Sequence, residues 1–163
     1  MKKIALLLAV LTLTLCLASC GLIGGEKTFT ADGLSITVKG LFTEQNQLSE
    51  DYSLVLLSTN AGVMILKETF AELEDAGLDT DMSLKKYAEI VIEGNNLTST
   101  PTEEDGLTCF TYTADVDGTE FTYVGYCFRG TDAYWLVQMY CATSDFETMK
   151  ADFTTWAKSV TLS

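Results

Sequence analysis

The chain contains no histidine and only one proline in 163 residues. Without an imidazole it lacks the most common general base, the most common nitrogen ligand for metals and the usual switch near neutral pH. A single proline and twelve glycines exclude fibrous and low-complexity classes. Because 47% of the residues are hydrophobic and 20% are charged, the composition predicts one globular domain with a substantial core.

Basic residues are also scarce, with ten lysines and arginines against 23 aspartates and glutamates. Lys2 and Lys3 precede Cys20, so the part after Cys20 carries eight basic and 23 acidic residues, a net charge of −15. Nucleic acid and anionic lipid repel a domain of this charge. We therefore exclude a nucleic-acid partner and expect most carboxylates to form a solvated surface.

The N-terminus has no hydrophobic run long enough for an ordinary membrane span. Residues 4–17 are fourteen uncharged residues, whereas a spanning helix needs about twenty. A run of this length after Lys2 and Lys3 is typical of the hydrophobic region of a signal peptide. The next residues, 17–20, read Leu-Ala-Ser-Cys and resemble a bacterial lipobox, with small residues just before Cys20. The alternative is an ordinary secretory signal with a chance cysteine.

The lipobox implies a covalent lipid on Cys20. Its thiol would accept a diacylglyceryl group, and the new N-terminal cysteine would carry at least two acyl chains such as palmitate, enough for stable anchoring. We predict a signal peptide over 1–19, a lipidated cysteine and short tether over 20–27, and a globular domain over 28–163. Such a tether reaches roughly 15 Å, so the domain is expected close to the extracytoplasmic side of the cell membrane.

The domain sequence predicts a mainly antiparallel sheet. A hairpin is expected over 28–40 around Asp32-Gly33, another over 51–70 around Asn60, and a three-strand meander over 106–144 that turns at Asp117-Gly118 and at 130–132. The meander strands are apolar at both odd and even positions, which indicates a sheet covered on both faces.

Two helices are predicted from capping residues and apolar spacing. Ser83 suits an N-cap for a helix over 84–93, with Gly94 just beyond its end. Ser144 and Glu147 suggest a capping box for the last helix. One face of that helix carries Phe146, Met149, Phe153, Trp156 and Val160. We interpret this stripe as core rather than a docking surface.

The order of these elements resembles a known fold. The segments "DGLSITV", "ILKETF" and "SLKKYAEIV", the aromatic meander and the amphipathic last helix are similar to the PsbP-like α/β/α sandwich. The resemblance implies an α+β fold, with an antiparallel sheet of about five to seven strands and helices on both faces. Proteins of this fold include a photosystem accessory subunit, a Ran-binding import factor and many bacterial lipoproteins, mostly non-catalytic binding or assembly modules.

Cysteines and carboxylates offer little support for catalysis. Cys109, Cys127 and Cys141 are expected in strands, either as buried free thiols or with a disulfide between Cys109 and Cys127, which a tight turn would set one residue out of register. A catalytic thiol would need a cationic partner, and only Arg129 is close in sequence. The acidic groups around 79–81, 103–105 and 115–120 match no calcium loop, so we predict no metal site.

Tyrosines are the remaining candidates for a binding surface. The residues proposed for it are Tyr112, Tyr123, Tyr126, Tyr134 and Tyr140. Outward-facing rings would bind a peptide, glycan or small molecule, whereas the alternative is that all five fill the two cores.

We therefore expect a lipid-anchored, non-catalytic binding or adaptor module of the cell envelope, with no cofactor other than the lipid on Cys20. Its partners would be the membrane and an envelope protein or small ligand. One alternative is a small envelope enzyme or enzyme accessory that uses acidic residues, and another is a calcium-dependent ligand-binding lipoprotein. An inward carboxylate in a deep pocket would favour the enzyme, and an exposed aromatic patch would favour the adaptor.

Overall fold

A computed structural model of the protein describes residues 25–45 and 51–163. Within these residues the strands are β1 (Glu26–Ala31), β2 (Leu34–Lys39), β3 (Thr43–Glu44), β4 (Leu54–Leu57), β5 (Ala61–Thr69), β6 (Thr102–Glu104), β7 (Leu107–Val116), β8 (Thr119–Arg129), β9 (Ala133–Ala142) and β10 (Thr161–Leu162). The helices are α1 (Phe70–Asp75), α2 (Leu84–Gly94) and α3 (Phe146–Lys158), the last preceded by a 3-10 turn (Thr143–Asp145). The first strand begins at Glu26, inside the predicted tether.

The strands form two antiparallel sheets. The larger has seven strands in the order β3-β4-β5-β9-β8-β7-β6, and the smaller has three in the order β1-β2-β10. This confirms the α+β class and the antiparallel pairing. The prediction of a single sheet needs correction, because the first hairpin pairs with the C-terminal strand through Thr161↔Ser35 and Leu162↔Leu34 instead of joining the large sheet.

Two Asp-Gly pairs make the tight turns that the sequence predicts. Asp32 and Gly33 have φ of 50° and 96°, and Asp117 and Gly118 have φ of 52° and 83°. Two consecutive residues with positive φ are typical of a type I′ turn, whose twist matches that of the flanking strands. The second turn pairs β7 with β8 from Val116↔Thr119 to Thr108↔Cys127 and so determines which meander side chains share a face.

The large sheet carries a hydrophobic cluster on each face, because alternate residues of its strands point to opposite sides. The α3-side cluster contains residues of α3, β2 and alternate sheet positions, among them Ile36, Val63, Val137, Met139, Phe153 and Trp156. The α2-side cluster contains residues of α1, α2 and the intervening sheet positions, among them Leu73, Tyr87, Val91, Phe110, Tyr134 and Leu136. The predicted stripe on the last helix packs as core in the α3-side cluster.

Helix ends follow the predictions only in part. Ser83 caps α2 as predicted and accepts a hydrogen bond from the Lys86 backbone, although Gly94 is the last helical residue and not the one beyond it. The capping box at the start of α3 is wrong, since Asp145 is the N-cap and makes no side-chain capping bond there. The preceding residues form the 3-10 turn, which displaces Ser144 from the capping position.

A capping box does occur at α1, a short helix that the sequence analysis missed. The Thr69 hydroxyl accepts from the Glu72 backbone, and the Glu72 carboxylate accepts from the Thr69 backbone. No helix within residues 25–45 and 51–163 is long and apolar enough to cross a bilayer.

Candidate functional site

The predicted lipidation residue, Cys20, lies outside the described residues. The five tyrosines predicted as a binding surface are all described, and all are buried. Their exposed fractions are 7% for Tyr112, 8% for Tyr123, 4% for Tyr126, 0% for Tyr134 and 8% for Tyr140. Tyr126 belongs to the α3-side cluster and the other four to the α2-side cluster. The five therefore fill the two cores instead of forming one exposed surface, and ligand binding by them stays a prediction.

Three of these tyrosines form a stacked row across neighbouring strands. The backbone register places Tyr112 opposite Tyr123 and Tyr123 opposite Tyr140. Their ring centroids are 4.9 and 5.1 Å apart, with interplanar angles of 7° and 27°. We call Tyr112, Tyr123 and Tyr140 the tyrosine row. Distances of this size are favourable for aromatic pairs and add to the energy of burial.

A glycine on the next strand makes room for the end of the tyrosine row. Gly62 lies opposite Tyr140 in the register of β5 and β9. A Cβ atom at Gly62 would lie 2.3 Å from the Tyr140 ring, which is far inside van der Waals contact. The absence of a side chain at Gly62 thus allows the ring to lie over β5.

The chemistry of the tyrosine row is that of neutral hydroxyl groups and aromatic rings. Burial raises the pKa of the Tyr112 and Tyr140 hydroxyls well above the usual range, and the neighbouring Tyr123 and Tyr52 hydroxyls raise both pKa values further. The Gln138 amide donates to the Tyr112 hydroxyl at 3.3 Å. These phenols stay protonated at physiological pH, so they suit stacking and hydrogen bonding better than acting as a base or nucleophile.

A second polar group on this face of the sheet centres on Glu68, which the sequence analysis did not single out. Glu68 is 9% exposed, and its carboxylate accepts a hydrogen bond from the buried Tyr87 hydroxyl of α2. Burial raises the pKa of the Glu68 carboxyl, while the bond from Tyr87 opposes that rise. One signal was available: Glu68 follows Met64 and Leu66 at alternate positions of β5, on the face that packs against α2.

The Tyr87 ring connects the Glu68 carboxylate to the ring of Tyr134. It stacks on Tyr134 with ring centroids 4.7 Å apart. The Tyr134 hydroxyl donates to the Met82 carbonyl at 2.6 Å and accepts from Arg129 Nε at 3.3 Å. These bonds attach the segment before α2 to β8 and β9. They give Tyr134 a structural role, since its hydroxyl is already satisfied within the protein.

The three described cysteines are buried free thiols. Cys109 lies opposite Tyr126, one position from the Thr108–Cys127 pair, so Cys109 and Cys127 point to opposite faces of the sheet. That geometry prevents the disulfide left open by the sequence analysis. Burial raises the pKa of Cys127 strongly and that of Cys141 to about 11, which disfavours the reactive thiolate.

The predicted groups of carboxylates are used in contacts within the protein. Glu104 pairs with Lys150 at 3.5 Å and Asp105 with Lys158 at 3.3 Å, so the β6–β7 turn is linked to α3. The Asp115 carboxylate accepts from the Gly118 backbone in the β7–β8 turn at 3.0 Å. Across the described part of the chain, no three acidic or cysteine side chains come close enough together to hold a metal ion.

Comparison with known proteins gives structural likeness only. No protein-family model matches the chain, and no curated protein matches it. It is similar to a crystal structure from Bacteroides thetaiotaomicron, with a TM-score of 0.55, 9% identity and 87% of this chain covered, and it spans about half (49%) of that protein's length. At this identity the similarity concerns the overall fold and carries no function.

Two further solved structures have lower TM-scores. The solution structure of PsbP from the cyanobacterium Synechocystis sp. PCC 6803 (CyanoP) has a TM-score of 0.46 and 15% identity, covering 90% of this chain and 99% of that one. Protein PA94 from Pseudomonas aeruginosa, of unknown function, has a TM-score of 0.41 and 8% identity, covering 81% of this chain and 93% of that one.

Proposed function

We propose that this protein is a lipoprotein, held at the extracytoplasmic side of the cell membrane by a diacylglyceryl group on Cys20. We propose further that its domain is PsbP-like, with helices on both faces of the large sheet, and acts as a non-catalytic binding or adaptor module. The observation that carries the proposal is the N-terminal sequence: two lysines, fourteen uncharged residues, and Leu-Ala-Ser-Cys at 17–20.

The position of the first strand among the described residues supports this arrangement. The first strand begins at Glu26, six residues after Cys20, so the chain leaves little length for a stalk. Six residues span at most about 20 Å when fully extended. A lipid on Cys20 would therefore hold the small sheet close to the bilayer surface.

The chemistry of the described polar side chains supports binding over catalysis. The pKa of each described cysteine is raised by burial, and the tyrosine row keeps its protons for the same reason. Groups of this kind donate hydrogen bonds but are poor nucleophiles at neutral pH.

Lipidation is tested by metabolic labelling with an alkyne analogue of palmitate in a bacterial host. Cys20→Ser is expected to abolish labelling. The matched control is Cys16→Ser, which changes a cysteine of the predicted signal peptide and should leave labelling intact. Labelling that survives Cys20→Ser, or that Cys16→Ser abolishes, would contradict the anchor.

The adaptor role is tested by photo-crosslinking the anchored protein in its own membrane. We expect one or a few envelope proteins to be captured by the wild type and lost when Cys20→Ser removes the lipid. Capture of the same proteins by the unanchored domain would separate adaptor function from anchoring. Absence of any specific protein partner would contradict the adaptor role.

An envelope enzyme or enzyme accessory remains the second candidate function, and Glu68 is the observation that favours it. Among the described residues it is the one buried carboxylate, and its raised pKa is typical of acid–base groups in active sites. Glu68→Gln should abolish an enzyme-dependent phenotype, with Glu120→Gln on the exposed part of β8 as the control. An unchanged phenotype in both variants would favour the binding module.

The third candidate is calcium-dependent ligand binding by the exposed carboxylates. It predicts that millimolar calcium raises the melting temperature and that magnesium at the same concentration does not. Equal effects of the two ions would contradict a specific site.

A further inference from the structure

One end of the small sheet differs in character from the rest of this acidic surface. It comprises Gly25, Glu26, Lys27, Lys39, Gly40 and Leu41, which we call the tether pole. The Gly40 backbone donates to the Gly25 carbonyl at 3.4 Å, and Glu26 lies opposite Lys39 in the strand register. These contacts bring the two chain segments together at the end of the hairpin away from the Asp32-Gly33 turn.

Leu41 is exposed at this pole. With 55% of its surface accessible, it is the one exposed large hydrophobic residue among residues 25–45 and 51–163. Scattered surface leucines need no explanation in general. Leu41, however, follows directly after Gly40. Because Gly40 donates a hydrogen bond to Gly25, this part of the chain lies beside the segment that leads to Cys20.

The charge of the tether pole also differs from that of the whole domain. Lys27 and Lys39 outnumber Glu26, whereas the chain after Cys20 has 23 acidic and eight basic residues. Both lysines are exposed, and the Lys27 ammonium lies 4.3 Å from the centroid of the Phe29 ring. Lysines beside an apolar residue suit the headgroup region of a bilayer, where the stem contacts lipid and the ammonium stays in water.

The short chain between Gly25 and Cys20 limits how far the tether pole can lie from the lipid. Gly25 is five residues from Cys20, and five residues span at most about 18 Å. We propose that the tether pole rests on the bilayer that carries the Cys20 lipid, with Leu41 in the headgroup–acyl boundary and Lys27 and Lys39 at the anionic headgroups. This inference rests on the proposed lipidation and adds an orientation to it, with the Asp32-Gly33 turn directed away from the membrane.

The far end of the hairpin provides a matched control position. Lys67 Nζ lies 3.5 Å from the Asp32 carbonyl and 3.1 Å from the Asp132 carboxylate, so the Asp32-Gly33 turn lies beside the turn between β8 and β9. Thr131 is exposed in that second turn. The six residues of β2 separate the two ends by roughly 20 Å, far more than the thickness of the headgroup region.

The test uses tryptophan fluorescence of the lipidated, full-length mature protein in vesicles. Leu41→Trp and Thr131→Trp are each reconstituted into phosphatidylethanolamine and phosphatidylglycerol vesicles at three to one, with plain or brominated acyl chains. The native Trp135 and Trp156 are buried, and their signal is subtracted with the wild-type protein. We expect brominated lipid to lower the emission of the added tryptophan about two-fold in Leu41→Trp and to leave Thr131→Trp unchanged.

A charge reversal tests whether the lysines of the tether pole, and not only the added tryptophan, hold this surface at the bilayer. Lys27→Glu with Lys39→Glu, in the Leu41→Trp background, should reduce the quenching in these vesicles and have little effect in phosphatidylcholine alone. The control is Lys85→Glu, an exposed lysine on α2. A reduction of the same size by Lys85→Glu would overturn the role of the pole lysines.

Lipid mass is measured on every preparation before the vesicle experiment. If the diacylglyceryl group is present and the two tryptophans are quenched equally, or neither is quenched, the orientation is wrong while the anchor stands. If the mass shows no lipid, the proposed anchoring fails and the orientation fails with it.

Discussion

The two faces of the large sheet are built from different side chains, although both are buried. The α3-side cluster combines aliphatic residues with five buried phenylalanine and tryptophan rings, and Tyr126 is its one buried tyrosine. The five rings are Phe29, Phe42, Trp135, Phe153 and Trp156. The α2-side cluster contains five buried tyrosines, and the buried Glu68 and Gln138 contribute hydrogen bonds to two of them. The first face therefore depends on volume and shape, while the second depends also on hydrogen bonds that must stay satisfied.

We expect the largest loss of stability when a large side chain is truncated in the α3-side cluster. Phe153 is fully buried and contacts both Trp156 and Phe146 through ring pairs. Phe153→Ala is expected to lower the free energy of unfolding by about 3–5 kcal/mol, measured by urea denaturation. The control is Thr155→Ala on the exposed face of the same helix, which should change it by less than about 0.5 kcal/mol. Equal losses in the two variants would mean that α3 does not pack as described.

On the tyrosine side, adding a single methyl group at Gly62 should destabilise the protein. Gly62→Ala places a Cβ atom against the Tyr140 ring and is expected to cost about 1–3 kcal/mol. Gly94→Ala at the end of α2 meets no atom within 4 Å and should stabilise by up to about 1 kcal/mol. If the cost of Gly62→Ala is the same in a Tyr140→Leu background, the ring contact is not its cause.

Burial of the Glu68 carboxyl should make stability depend on pH. Because the folded pKa of Glu68 is raised, its contribution is most favourable below the unfolded pKa and is lost as pH rises through the folded value. Glu68→Gln should remove this loss and raise the melting temperature at neutral pH relative to the wild type. Thermal melts across the acidic to neutral range measure the difference, and identical profiles for both proteins would contradict the assignment.

Tyr87→Phe removes the hydroxyl that opposes the rise in pKa and leaves the buried carboxylate without this donor. We expect a loss of about 1–3 kcal/mol at neutral pH, with the decline in stability extending to higher pH than in the wild type. Combining Tyr87→Phe with Glu68→Gln should restore a flat profile. A pH dependence that persists in the double variant would show that another group carries it.

We expect the smallest difference between the two faces in the reactivity of their thiols, which are buried on both faces and form no disulfide. In the folded protein Cys109, Cys127 and Cys141 should react with iodoacetamide far more slowly than a free thiol, and in denaturant all three should react. Intact mass after labelling gives the count at each step. Mild oxidation should leave three free thiols, and a disulfide between Cys109 and Cys127 would contradict the register of β7 and β8.

The sequence predicted those features that depend on local chemistry. Asp32-Gly33 and Asp117-Gly118 specify their turns, and apolar residues at both odd and even positions of the meander predict a sheet buried on both faces. The pairing of Thr161 with Ser35 was not predictable, because it depends on where two distant segments meet. The capping box assigned to Ser144 was wrong for a related reason, since the 3-10 turn after β9 competes for the same residues.

The candidate site was less predictable than the fold. Tyrosine composition suggested a surface, but the register places Tyr140 over Gly62 and buries the row, a contact between residues 78 positions apart. Glu68 contacts Tyr87 of α2 in the same way, through packing that a local pattern does not specify. Side chains with both an aromatic ring and a hydroxyl suit either a core or a surface, so composition alone does not separate the two.

The most direct test of the central claim, a membrane-anchored module held by Cys20, is the intact mass of the protein extracted from bacterial membranes. The account predicts a chain that begins at Cys20 and carries a diacylglyceryl group, with three further free thiols. A chain that keeps residues 1–19, or one cleaved elsewhere and without lipid, would contradict it.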